Sequence, residues 1–158
     1  MMRMALFADV QNIYYTTRER YGRAFDYRAA WARIGAAGDI VAAYAYATTR
    51  GDARQQRFQR DLEHIGFSLR LKPFILRADG SAKGDWDVGI TIDVLDHAPA
   101  VECIVLLSGD GDFALLLDTV KARHGVVTQV YGVPGLTARA LIDAADAYHP
   151  IGPELLLD

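Results

Sequence analysis

One cysteine, Cys103, stands in a chain of 158 residues, so no internal disulfide can form. Its place inside the apolar run CIVLL reads as a small buried hydrophobe in a reducing, cytosolic setting. Histidine pairs are lacking too: His64, His97, His124 and His149 lie far apart, with no HxxxH or CxxC spacing, which argues against a structural zinc site. No segment approaches the roughly 18 consecutive apolar residues that a membrane span needs. The N-terminal MMRMALFADVQN also lacks the long apolar stretch and small-residue cleavage site of a secretory signal. The expectation is a soluble, unprocessed, cytoplasmic protein without a membrane partner. A large excess of one charge is absent as well: 17 basic against 20 acidic residues give a net charge of −3. The overall field will not hold a polyanion, so any nucleic-acid contact must be local. No repeat and no Pro, Ser or Gly-rich linker divides the sequence, and 51% hydrophobic residues suffice for one core, so residues 1–158 are read as one domain.

What the chain does have is alternation. Short apolar runs at Met2–Ala8, Ile40–Ala47, Phe67–Leu76, Glu102–Leu107 and Val126–Tyr131 read as strands. Segments of helical period lie between and after them, at Asn12–Tyr21, Asp26–Ala36, Ala53–Ile65, Asp87–His97, Phe113–His124 and Leu136–Ala147. Strands alternating with helices of this length predict an α/β fold of right-handed βαβ units, a mostly parallel sheet covered by helices on both faces. Pro73 and two basic residues in LRLKPFIL mark the third strand as an edge. A ligand site in such a sheet lies beyond the carboxyl ends of the strands, where strand order reverses.

Acids gather where that rule points. Asp9 ends the first apolar run, with Asn12 three residues on; LLSGDGDF places Ser108, Asp110 and Asp112 after the fourth; KGDWDVGITIDVL supplies Asp85, Asp87 and Asp93 around the start of a helix. Singly, each has a local reading as a helix cap or an Asx turn. If the first and fourth strands are neighbours, however, these acids converge. Two carboxylates about 4 Å apart repel by roughly 4 kcal/mol at an effective dielectric near 20, so protons or a cation must intervene. An all-oxygen donor set suits Mg²⁺ or Mn²⁺ rather than zinc, and the chemistry such a site supports is phosphoryl transfer.

ALFADVQNIYY, KGDWDVGITIDVL, LLSGDGDFALLL and the late ALIDAADAYHPI together resemble the LabA-like branch of the NYN domain family, among the PIN-like proteins, in the family's order and over nearly the whole chain. The resemblance implies a Rossmann-like, PIN-like three-layer α/β/α sandwich with the acids gathered at one end of the sheet, and a metal-dependent ribonuclease. By position, Asp9 and Asn12 match the D-x-x-N motif, Asp87 and Asp93 the acids after the KG pair, and Asp110 and Asp112 the S-G-D-x-D-F pair. Val10 stands where the family often has glycine, and Asp85 and Trp86 separate the KG pair from Asp87. Asp85 therefore competes with Asp87 as ligand, and the D-v-x-l-x-x-D spacing favours Asp87.

The leading expectation is an Mg²⁺ or Mn²⁺-dependent nuclease acting on single-stranded or structured RNA. Asp9, Asp87, Asp110 and Asp112 hold the metal, Asn12 orients a carboxylate or the scissile phosphate, and Asp93 and Ser108 stand behind them. An offset of six residues turns Asp93 away from Asp87 on a helix. Arg50, Arg54, Arg57 and Arg60 share one helix face opposite Phe58, Leu62 and Ile65, either as a solvated face or as a stripe that tracks phosphates. Tyr14, Tyr15 and Trp86 can stack on unpaired bases or pack in the core, and Lys83 can approach a phosphate or remain a solvated loop lysine. The alternatives are a non-catalytic RNA-binding or regulatory module that keeps the acidic pocket, and a small phosphatase or phosphoacceptor domain. Against the latter, ADVQN lacks a D-x-D pattern. The apolar tail ELLLD and the exposed edge strand could support a homodimer.

Overall fold

A strand covered on both faces must be apolar along its length, and RMALFAD is: β1 (Arg3–Asp9) is exposed at Arg3 and buried from Met4 to Asp9. The computed structural model describes residues 1–49, 51–73, 75–76, 82–83 and 85–158, with the backbone only at 73, 75–76 and 82–83. After β1 come α1 (Val10–Tyr21), α2 (Tyr27–Ala37), β2 (Asp39–Thr49), α3 (Ala53–Ile65), β3 (Ser68–Pro73), β4 (Ile75–Leu76), β5 (Ala82–Lys83) and α4 (Asp87–His97). The second half continues with β6 (Cys103–Leu107), α5 (Ala114–His124), β7 (Val127–Gly132), α6 (Arg139–Ala144) and β8 (Ala147–Pro150).

Six strands form one sheet in the order β3-β2-β1-β6-β7-β8, with every pairing parallel. The chain starts in the middle, moves outward to β3, and returns to the other side of β1 with β6. The carboxyl ends of β1 and β6 are therefore the point where strand order reverses. Side chains alternate across the sheet. Met4, Leu6 and Ala8 join Ile13, Ala30, Ile34 and Leu62 of α1, α2 and α3 on one face. Ala5 and Phe7 join Ile90, Val94, Leu117 and Leu141 of α4, α5 and α6 on the other. This is the three-layer α/β/α sandwich expected from the alternation of elements. Cys103 is buried within it, and burial pushes its thiol up to about 11.

Two expected elements are revised. The third strand, read as Phe67–Leu76, ends at Pro73, which has no N–H to extend the ladder. The residues beyond it form β4, which pairs antiparallel with β5 apart from the main sheet. β3 is nonetheless the edge, as its proline and basic residues indicated. Next, the last helix, read as Leu136–Ala147, is the short α6 followed by an unforeseen sixth strand, β8. Asp146 explains the break: its backbone N–H donates to Thr128 O at 3.0 Å, while its Oδ2 accepts the Thr128 N–H at 2.8 Å. Lys121 pairs with the same carboxylate at 3.1 Å. Long-range partners on β7 and α5 thereby outweigh the local helical preference of ALIDAAD. Finally, the ELLLD tail folds back: Leu155 and Leu156 are buried, and Asp26 N donates to Leu155 O. Leu155 and Leu156 serve this chain's own core, and Leu157 is exposed.

Asp146→Ala is expected to leave the buried Thr128 N–H without its acceptor and to lower unfolding free energy by about 1–3 kcal/mol, read from urea denaturation. Unchanged stability would show that β8 docks without this side chain.

Candidate metal centre

The register of β1 on β6 sets the site. Ala8 pairs with Leu107, so the next residues along are Asp9 and Ser108. Asp9 continues the row of Ala5 and Phe7, which faces the α4 side of the sheet. Ser108 Oγ donates to Asp9 Oδ2 at 2.9 Å and accepts the Asp110 N–H at 3.1 Å. Asp9 also caps α1, its Oδ1 accepting the Asn12 N–H at 3.5 Å, and Asn12 Oδ1 in turn accepts the Gly109 N–H at 2.8 Å. One hydroxyl, one amide and one carboxylate thus tie the turn after β1 to the turn after β6.

The glycines of SGDGD answer to close packing. A Cβ on Gly109 would meet Leu136 O at 2.6 Å, and one on Gly111 would meet the Ala138 Cβ at 2.8 Å. Gly109 O accepts the Ala138 N–H at 3.0 Å, so residues 136–138 buttress the turn from behind. Asp110 caps the following 3-10 turn, its Oδ1 accepting the Asp112 N–H at 2.9 Å.

Asp87 arrives from a third element as the first residue of α4. Trp86, just before it, is anchored by its indole N–H to Ala47 O at 3.0 Å and packs against Tyr46 with ring centroids 5.6 Å apart. Gly89 leaves room for that indole, since a Cβ there would lie 2.5 Å from Trp86 Cε3. The start of α4 is held down, and one carboxylate oxygen from each of Asp9, Asp87 and Asp110 lies within 4.8 Å of the other two. Asp9 is buried; Asp87 and Asp110 are half-buried.

Burial first, then the Asp110 and Asp85 charges, push Asp9 up to about 6 against the lowering effect of Ser108 and Asn12. Burial, then the charge of and a hydrogen bond with Asp110, push Asp87 up to about 7. Among the described residues, no lysine or arginine forms an ion pair with any of the three. Three converging carboxylates, Asp9 and Asp87 with raised proton affinity, and no ion-paired cation among the described residues fit a hard divalent ion, which relieves the repulsion and the desolvation together.

The other sequence candidates are placed as follows. Asp85 is exposed outside the triad; its carbonyl accepts from Lys72, and its charge reaches the triad through space. Asp112 is exposed on the rim, sharing a small depression with Asp87, and lies outside the triad. Asp93 faces elsewhere, accepting from Tyr46 Oη at 2.7 Å and pairing with Arg70 at 3.2 Å. Arg54, Arg57 and Arg60 are exposed on α3, while Leu62 is buried and Phe58 and Ile65 half-buried. Arg50 and the Lys83 side chain lie outside the described residues. Tyr14 and Tyr15 are exposed, whereas Trp86 is half-buried on its anchors. No sequence signal marks the Ala47 anchor or the buttress at 136–138, because both are pairings between distant segments.

Comparison with known proteins agrees with this geometry. The family model described as the NYN domain matches residues 3–153. The chain is 30% identical over 154 residues to the low amplitude and bright protein LabA of Synechococcus elongatus, covering 92% of this chain and 82% of that one. It is also similar to the crystal structure of a protein of unknown function from Vibrio parahaemolyticus. That match has a TM-score of 0.94 and 47% identity, over 99% of this chain and 96% of the other.

Because Asp9 and Asp87 bind protons more tightly folded than at the ordinary value of 3.8, the stability they contribute is full at low pH and is lost as pH rises through about 6 and 7. Metal-free protein is therefore expected to melt at lower temperature as pH rises from about 5 to about 8. Asp87→Asn should flatten that slope. With Mn²⁺ the trend should reverse, since a ligand carboxylate must be unprotonated. A metal-free melting temperature that does not change over this range would contradict the clustering.

Proposed function

The chain belongs to the NYN domain family, and on that premise we propose that it is a divalent-metal-dependent ribonuclease that hydrolyses phosphodiester bonds in RNA. The observation that carries the reading is the meeting of Asp9, Asp87 and Asp110 at the point where strand order reverses. In this reading Asp9, Asp87 and Asp110 hold Mg²⁺ or Mn²⁺, with Asp112 at the outer edge of the ligand field. A bound divalent ion supplies polarisation of a phosphate oxygen and stabilises the charge that develops on the leaving oxygen.

The chain's own groups do the positioning. Ser108 donates its hydroxyl hydrogen bond to Asp9 Oδ2 and so fixes which lone pairs of that carboxylate face the centre. Asn12 has its oxygen committed to Gly109, so it presents a substrate phosphate only with its NH₂ donor. Arg54 and Arg57, exposed on α3, supply the local positive charge that a net charge of −3 does not. In this reading Tyr14, exposed on α1, and Trp86, next to Asp87 in the chain, supply aromatic faces for bases. Asp93, held by Tyr46 and Arg70, steadies α4 from the side.

Mn²⁺ is expected to raise the melting temperature of the wild type and to leave Asp110→Asn unmoved, by differential scanning fluorimetry. Wild type should cleave single-stranded RNA with Mn²⁺ and not with a chelator, and Asp9→Asn should abolish cleavage. Cleavage that persists in Asp9→Asn overturns the catalytic assignment, whereas metal binding without cleavage by the wild type points to an RNA-binding module with an acidic pocket. Ser108→Ala should weaken Mn²⁺ affinity by about 10–100-fold with the fold retained, read by calorimetric titration.

A further inference from the structure

A groove of about 550 Å³ opens between α1 and α3 at the carboxyl ends of β1 and β2. Its volume falls within the roughly 300–1,000 Å³ typical of sites for small organic groups. Val10, the residue after Asp9, lines one end of it, while the three carboxylates lie outside its lining. Its inner wall includes Tyr27 and Phe58, whose ring centroids are 5.8 Å apart. Tyr14 and Tyr15 line it from α1 while remaining 50% and 56% exposed, and their rings meet edge to face at 5.4 Å.

The charges at its mouth favour an anion. Arg18 lies with its guanidinium 5.0 Å above the Tyr14 ring, and Arg54 stands across from it on α3. Asp52 also lines the groove, but its Oδ1 accepts the Gln55 N–H at 2.8 Å, so that charge is directed onto the first turn of α3. Exposed flat rings flanked by guanidinium groups and lying beside an apolar wall suit a ligand with an aromatic face and an anionic backbone. A duplex has its base faces covered by stacking and cannot present one.

We propose that this groove seats unpaired bases of a single-stranded nucleic acid, with the adjoining phosphates on Arg18 and Arg54, and that the strand continues past Val10 towards Asp9, Asp87 and Asp110. The direction of the strand rests on the nuclease reading; the seating of the bases does not.

The test is fluorescence anisotropy in a chelator, where no cleavage occurs, with a labelled single-stranded RNA of about ten nucleotides, its abasic counterpart and a duplex of the same sequence. The single strand should bind at least about tenfold more tightly than the abasic strand or the duplex, as base stacking on aromatic side chains requires. The double variant Tyr14→Ala, Tyr15→Ala should lose about tenfold in affinity, and Arg54→Ala several-fold. Arg123→Ala, on α5, removes the same charge elsewhere and should bind as wild type does. Equal binding of the base-containing and abasic strands, or full affinity in the double tyrosine variant, overturns the proposal. So does displacement of the RNA by an apolar, acidic peptide whose binding the tyrosine variant abolishes, which would make the groove a peptide site. Because no metal is present, failure here leaves the carboxylate site untouched, and failure of cleavage leaves the groove untouched.

Discussion

Parallel pairing between β1 and β6 puts Asp9 beside Ser108, and the site follows from that one register. A slip of one residue would turn Asp9 to the opposite face of the sheet, away from α4, and break the contact through which Ser108 orients it. The register is itself fixed by burial. β1 and β6 are apolar on both faces, and their side chains interleave with helices above and below, so no shifted alignment keeps both cores filled. The precision of the acidic centre is thus a property of the hydrophobic core beneath it.

That core also sustains an arrangement that is unfavourable in itself. Asp9 lies buried against two other carboxylates, with raised proton affinity and no basic partner among the described residues. Acids chosen for stability alone would be spread out or paired with cations. Among the described residues, Arg70 pairs with Asp93, and Lys72 with the Asp85 carbonyl and the Trp86 ring. The result is a centre that favours whichever positive species arrives, a proton at low pH or a divalent ion above it. The neighbouring groove differs in kind, aromatic and flanked by arginines, so the two sides of the Asp9–Val10 junction suit a cation and an anionic strand respectively.

The sequence by itself determined which residues could carry chemistry and the class of fold that would bring them together. Apolar runs separated by helical periods gave the parallel α/β sandwich, since period-2 and period-3.6 patterns are local and survive without any knowledge of partners. The same locality gave the exposed arginine face of α3 over buried Leu62, and the edge position of a strand carrying Pro73. The resemblance of the run from Asp87 to Asp93 to the family's spacing pointed to Asp87 in preference to Asp85, and it is the Asp87 carboxylate that lies near those of Asp9 and Asp110.

What only the tertiary structure decided was every feature that depends on residues remote in the chain. Asp146 ends α6 and creates β8 because its partners are Thr128 and Lys121, and no local pattern in ALIDAADAYHP encodes that competition. Asp112 stays on the rim while Asp110, two residues before it, joins the triad, because the 3-10 turn is pinned by the backbone at 136–138. Trp86 fixes Asp87 through a carbonyl on β2, and the groove exists only where α1 and α3 come side by side. Local propensity decides how each segment folds; distances between segments follow from how cores and turns fit together in three dimensions.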